Sequence, residues 1–293
     1  MFNRILVIGA TGLLGRPVVE RLTQGGHTIR ILTRSAAKAH TMFGGAVDIA
    51  EGSATNIDHV RAAMAGCDAV HINLTPATEY TATSHVIEVA DGNLGRLGYV
   101  SATTLSEELR WFDRVDVKMR TEELIRNSGL PYAIFCPTWV METLQNFIRG
   151  GKWALSVDGK NPTQLHWFAA ADFGRMVAAS YEDDRALGKR LYVYGPEGIT
   201  IGDATDRFAA ACCPKARVIH LKVWQAKLLA KLIRNTELAE VAELIGYLDT
   251  AGEFGEPELA NELYGAPTIT LDEWFGMERD ERGGVAHRPT KGR

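Results

Sequence analysis

Residues 7–15 read "VIGATGLLG", with Gly9, Gly12 and Gly15 three apart between an apolar run and an amphipathic one. A strand that ends in Gly-x-x-Gly-x-x-Gly and runs into a helix suits one chemistry, the holding of a dinucleotide pyrophosphate. Gly9 permits the tight turn, Gly12 lets the backbone approach the phosphates, and Gly15 lets the helix pack close to the strand. The helix start then offers N–H groups and the positive end of its dipole, and Thr11 adds a hydroxyl. No Gly-Lys-Ser/Thr follows, which excludes a P-loop. The next diagnostic lies at the end of the second strand. An acid there would bond a ribose 2′-hydroxyl; an arginine would take a 2′-phosphate. The chain reads "ILTRSAAK", without an acid. Arg34 supplies a planar fork, and Ser35 and Lys38 can assist it, so NADP(H) is expected ahead of NAD(H).

The elements that must position these residues alternate. Strand patterns over 4–10, 27–34, 46–52, 67–75, 96–103 and 131–138 are separated by helical patterns over 13–26, 57–66, 77–92 and 116–129. That rhythm means βαβ crossovers: an α/β, Rossmann-type doubly wound parallel sheet over residues 1–150. Residues 169–183 read as a helix and 190–200 as a strand and turn, so that 169–200 packs back onto the sheet. A smaller α+β substrate or lid region is expected over 151–277, and a polar, flexible tail over 278–293. Residues 221–247 read as two helices broken near Asn235, with Trp224, Leu228 and Leu232 in a stripe taken to pack in the core or over a pocket.

The bulk numbers bound the partners. The composition, 46% hydrophobic and 23% charged over 293 residues, is that of a globular chain. A net charge of −4 argues against general nucleic-acid binding. No apolar run is long enough to cross a bilayer, and "MFNRILVIGA" lacks a secretory layout. Cys67, Cys136, Cys212 and Cys213 show neither disulfide nor metal spacing. A reduced, cytoplasmic protein without a metal is expected, partnered by a small molecule and by neither nucleic acid nor membrane; a homo-oligomer stays open.

"GATGLLG", with "LTRS", "SAT" (101–103), Lys118 and "SGLPYAIFCPTWVME" (128–142), resembles the atypical short-chain dehydrogenase/reductases, in particular the NmrA-like and isoflavone-reductase-like NAD(P)-binding proteins. The resemblance implies a Rossmann domain with a smaller C-terminal domain. It implies that Gly9, Thr11, Gly12, Leu14 and Gly15 hold the pyrophosphate and that Thr33 and Arg34 face the adenosine ribose and its phosphate. Asn73, Leu74 and Thr75 would line the ribose path. Ser101 and Ala102 would approach the nicotinamide, and Pro137, Thr138 and Trp139 would bracket it. Two positions depart from the family pattern. Ser53 stands where an aspartate near the adenine is usual and bonds less strongly than a carboxylate. Arg114 stands where the mainstream dehydrogenases have the tyrosine of Tyr-x-x-x-Lys, and it cannot donate a proton as a phenol does.

Lys118 is then the catalytic candidate. In the family's isoflavone-reductase-like branch a lysine at the matching place works without the tyrosine. It would bond the nicotinamide ribose or act as an acid if buried; the plainer reading pairs it with Glu122 at i, i+4. Tyr80, Tyr99 and Tyr132 lack the right offset, and His71, His166 and Asp172 read as structural. Trp139, Met141, Phe147, Trp153, Trp167 and Phe168 form a dense apolar set that fits a flat-molecule pocket or plain core. An oxidoreductase reducing a small quinone- or enone-like acceptor is expected, and the alternative is a dinucleotide-binding sensor without turnover.

Overall fold

The computed structural model describes residues 2–149 and 152–284. In chain order it contains β1 (Arg4–Ile8), α1 (Gly15–Gln24), β2 (Thr28–Thr33), α2 (Ala36–Phe43), β3 (Asp48–Glu51), α3 (Ile57–Met64), β4 (Ala69–Ile72), α4 (Pro76–Ala90), β5 (Arg96–Val100), α5 (Asp113–Arg126) and β6 (Tyr132–Pro137). There follow β7 (Ile148–Arg149), β8 (Trp153–Asp158), β9 (Leu165–Trp167), α6 (Ala170–Ser180), β10 (Lys189–Val193), β11 (Glu197–Ile199), α7 (Ile201–Cys212), β12 (Arg217–Lys222), α8 (Val223–Ile233), α9 (Thr236–Ala251), α10 (Glu258–Tyr264) and α11 (Leu271–Gly284). Two compact units interleave along the chain: Met1–Thr138 with Ala170–Tyr194 and Glu253–Pro267, and Trp139–Ala169 with Gly195–Gly252 and Thr268–Arg293.

The first unit is built on a seven-stranded sheet in the order β10-β6-β5-β4-β1-β2-β3. Every pairing in it is parallel. β1 lies between β2 and β4, with Ile8 level with Leu32 and Ile72, so the strand order reverses there. Ile5, Leu6, Val7 and Ile8 are sealed on both faces, as a central parallel strand requires. Each such side chain contributes roughly 1.5–3 kcal/mol on burial. Leu6, Ile8, Val70, Ile72, Leu97 and Ile134 meet Val60, Ala63, Val86 and Ile125 of the covering helices in one cluster. α6 lies against α1 across a glycine: a Cβ on Gly174 would stand 2.6 Å from the Pro17 carbonyl. At the N-terminal end of β5 the sealed Arg96 donates to the Ser180 and Asp183 carbonyls and pairs with Asp184 at 2.9 Å. It anchors the end of α6, at the edge of the sheet opposite the glycine turn.

The second unit holds a three-stranded sheet in the order β12-β8-β7, an antiparallel β9/β11 pair, and α7, α8, α9 and α11. The run expected as one strand and turn over 190–200 becomes β10 in one unit and β11 in the other. The break falls at Gly195, where a Cβ would lie 1.5 Å from the Trp167 carbonyl oxygen. Half of the six-residue apolar set over 139–168 is core rather than pocket. Met141, Trp167 and Phe168 are sealed, whereas Trp153 is exposed. The Trp224, Leu228 and Leu232 stripe does the reverse of what its periodicity suggested, since all three are exposed. Of the tail expected over 278–293, residues 278–284 continue α11, and 285–293 lie outside the described residues. No helix among the described residues is long and apolar enough to cross a membrane.

Candidate functional site

Two glycines of the opening motif, Gly9 and Gly15, are sterically required. Gly9 has φ +87°, and a Cβ on it would stand 1.8 Å from the Asn73 carbonyl oxygen at the end of β4. Asn73 itself donates its N–H to Ile8 O at 2.9 Å, so the C-terminal ends of β1 and β4 are held together where the strand order reverses. In open α/β sheets that crevice is the ligand position. A Cβ on Gly15 would meet Gly9 O at 2.1 Å, which fixes the close approach of α1. Gly12 is looser: its N–H donates to Gly9 O at 3.1 Å, and a Cβ there would lie 3.2 Å from that oxygen.

α2 and α3 are capped by the side chains of Ser35 and Asn56. α1 has Leu14 as its N-cap, with no side-chain cap bond and no acid in its first turn, and its N-terminal dipole therefore faces the crevice without a built-in anion. Beside the turn, Arg16, Lys38, Thr41 and Met42 line a cleft of about 380 Å³. Lys38 Nζ donates to Thr11 O at 3.4 Å. Arg34 is exposed just past β2 and enters no ion pair among the described residues. Thr33 accepts from Gly52 N–H at 2.8 Å and is level with Glu51 across β2/β3. The Ser53 hydroxyl is shared with Thr55 at 2.8 Å. An uncapped helix start, glycines that admit no Cβ and a cationic cleft fit a bound dinucleotide.

The other family-implied positions of the first unit lie along the same C-terminal edge. Leu74 and Thr75 follow β4, and Thr75 is the N-cap of α4 without a side-chain bond. Ser101 and Ala102 follow β5. The Ser101 hydroxyl donates to Glu122 on α5, a carboxylate that also binds Arg126 and, at 3.1 Å, Arg190. Pro137 ends β6, and Thr138 donates its N–H to Val193 O at 3.1 Å. Trp139 belongs to the second unit, where its indole donates to Thr143 Oγ1 at 2.7 Å. Cys136 is sealed, and burial pushes its thiol up to about 12, which leaves it inert.

Lys118 has a different partner from the one its spacing suggested. Glu122 is taken by Ser101 and the two arginines, and Lys118 Nζ instead pairs with Glu79 Oε2 on α4 at 3.0 Å. It also donates to Val100 O at 3.3 Å and stands 5.5 Å above the Tyr99 ring. The Lys118 side chain is 15% exposed and that of Glu79 not at all. Burial pushes the Glu79 carboxyl above the usual carboxylate range, and the Lys118 charge draws it back only in part. Tyr99 is driven well above the ordinary phenol range by burial and by Glu79. Glu79 Oε1 and the Tyr99 hydroxyl influence each other, yet neither has a partner at hydrogen-bond geometry. Arg114, one turn before Lys118, is exposed, so no phenol stands in the usual position, and sealed Tyr99 cannot replace it. His71 is held at about 3 by burial and stays neutral beside Tyr181 and Phe135. Among the described residues no three His, Cys, Asp or Glu gather as a metal site. Glu79 was missed from the sequence because an acid in a helix's first turn already has an ordinary reading, interaction with the dipole.

Similar proteins share this architecture. The chain is 27% identical over 233 residues to the (4-alkanoyl-5-oxo-2,5-dihydrofuran-3-yl)methyl phosphate reductase of Streptomyces griseus, covering 78% of this chain and 81% of the relative. It is 21% identical over 235 residues to the NAD(P)H azoreductase of Xenophilus azovorans, covering 76% and 79%. In structure it matches the NADPH-dependent quinone oxidoreductase of Escherichia coli with a TM-score of 0.74 at 18% identity, over 94% of this chain and 99% of the other. The Citrobacter triphenylmethane reductase, complexed with NADP(H), matches with a TM-score of 0.74 at 16% identity, over 93% and 99%. These likenesses show the fold. A family model described as NAD(P)H-binding matches residues 9–187, from the first glycine of the turn to just short of β10. The chain belongs to that NAD(P)H-binding family.

Proposed function

We propose that the protein is an NADP(H)-dependent reductase of small apolar acceptors of the quinone or enone class. The observation that carries the reading is the set around Lys118: a lysine held at 3.0 Å by a sealed carboxylate, with no phenol one turn away. When bound, the cofactor supplies a hydride. Gly9, Gly12, Gly15 and the start of α1 would hold its pyrophosphate, with Thr11 and Leu14 lining the turn. Arg34, Lys38 and Arg16 would take the 2′-phosphate, and the absence of an acid after β2 favours NADP(H) over NAD(H). Lys118 would orient the nicotinamide ribose and place positive charge near a developing oxyanion. Such a site stabilises charge but has no positioned phenolic proton donor. That suits an acceptor whose reduced form is a stabilised enolate or hydroquinone anion, which takes its proton from water afterwards. The named relatives that reduce quinones, azo compounds and triphenylmethane dyes support an acceptor of this kind.

The test mixes the protein with NADPH and a panel of quinones and enones and follows nicotinamide absorbance. Turnover with at least one acceptor, reduced in Lys118→Ala while NADPH still binds, is the expected result. Tight NADPH binding without oxidation across the panel would instead support the second reading, a dinucleotide sensor, which the missing phenol favours.

A further inference from the structure

α8, in the second unit, carries its side chains in an inverted arrangement. A surface helix ordinarily turns its large apolar residues inward. Here the buried positions are Ala226 and Ala230, while Trp224, Leu228 and Leu232 are 65%, 52% and 72% exposed. Their i, i+4, i+8 spacing stacks them in one ridge. Lys227 and Lys231 form an exposed row beside it, and exposed Lys222 and Arg234 close its ends. None of these four cations enters an ion pair among the described residues. Between Arg207 and Glu237 the sequence holds six Lys or Arg and no Asp or Glu, within a chain whose net charge is −4.

We propose that this face docks on an anionic membrane surface. α8 would lie in the plane of the headgroups, its ridge in the acyl boundary and its lysines on lipid phosphates. A tryptophan beside a lysine row is the composition that such an interface selects. A second copy of the chain fits poorly. An eleven-residue helix is about 16 Å long and about 10 Å wide, far less than the roughly 800 Å² per partner of a standard interface. Antiparallel two-fold pairing through the ridge would also bring the two lysine rows together. The expectation of no membrane partner rested on the lack of a spanning segment, which does not bear on a helix lying in the plane of the interface. Docking requires no turnover and does not rest on the reductase reading; it would bring such an enzyme to the phase in which apolar quinones dissolve.

Vesicle flotation of the full chain tests this. The protein should float with phosphatidylcholine–phosphatidylglycerol vesicles and not with phosphatidylcholine alone, and added salt should release it. Lys227→Gln/Lys231→Gln should weaken partition about thirty-fold, the effect of removing two cations near an anionic surface. Trp224→Ser/Leu228→Ser/Leu232→Ser should abolish it. Urea midpoints unchanged in both variants would show that the exposed substitutions leave the fold intact. Failure of the unmodified protein to float, or flotation indifferent to both variants, overturns the proposal. So does a ridge variant that turns a dimer into a monomer in sedimentation without any vesicle binding, which would assign the ridge to a second copy.

Discussion

Replacing Lys118 by methionine isolates the energetic role of the buried ion pair. The long stem is kept and the ammonium is lost, so Glu79 is left without a counter-ion in a fully sealed position. Removing one partner of a buried pair costs roughly 3–5 kcal/mol. Lys118 retains some solvent contact, which places the expected cost near the lower end, about 3 kcal/mol at about pH 8. Without the lysine, burial acts on Glu79 unopposed and raises its carboxyl further than in the unmodified protein. A carboxyl raised in the folded state contributes its full stability below the unfolded pKa and loses it as pH rises through the folded value. The cost of Lys118→Met should therefore be smaller at about pH 5 than at about pH 8, because uptake of a proton by Glu79 relieves the unpaired buried charge. The double variant Lys118→Met/Glu79→Leu should recover most of the loss at the higher pH. Fluorescence would be a poor probe, because Trp111 is the only one of six tryptophans in the first unit. Hydrogen exchange of the α4 and α5 amides reads the right region. An equal cost at both pH values, or strict additivity in the double variant, refutes the reasoning.

Other perturbations separate the remaining assignments. Arg34→Ala/Lys38→Ala should weaken NADPH by about 2–3 kcal/mol, roughly thirty-fold or more, and leave NADH within a few-fold; titration calorimetry with both cofactors decides, and equal losses for the two would remove the 2′-phosphate assignment. Gly9→Ala forces a side chain onto the Asn73 carbonyl at φ +87° and should cost more than about 3 kcal/mol of stability. Gly12→Ala meets only a 3.2 Å contact and should cost below about 1 kcal/mol, yet weaken NADPH at least about tenfold, because the phosphates need that space. In the second unit His220 bridges Asp158 at 2.9 Å and Asp206 at 3.0 Å. Burial opposes its charge, but the two carboxylates outweigh burial and raise its pKa. The clasp should stabilise that unit below the ordinary histidine range and lose its effect as pH rises through the folded value. Solvent screening holds the effect below about 1 kcal/mol, and the pH dependence of urea midpoints followed by tryptophan fluorescence should weaken in Asp206→Asn, where Asp158 alone still faces the ring.

What could be read from residue order and what could not divide along a physical line. The glycine turn was legible because its constraint is steric and local: Gly9 and Gly15 answer to one turn and the strand beside it. The parallel sheet was legible because alternation of strand and helix leaves few topologies. Lys118 was legible as a candidate, but its partner was not. Spacing on α5 offers Glu122, and only the packing of α4 against α5 brings Glu79, 39 residues away, to 3.0 Å. Two acceptors competed for one lysine, and the arginines from α5 and β10 decided the outcome by occupying Glu122.

The same limit governs α8. Periodicity establishes that Trp224, Leu228 and Leu232 share a face, and it is silent about which face meets the core. The hydrophobic rule alone turns them inward. Against that stand Ala226 and Ala230, the buried positions of a helix that packs on α9, β8 and β12, where small side chains allow a close approach. Large residues in their place would hold the helix off its neighbours. The helix therefore pairs through its alanines and leaves its tryptophan and leucines to the surface. An exposed apolar ridge of this kind carries a standing cost in water, and the lysine row beside it identifies an anionic surface as the phase in which that cost is removed.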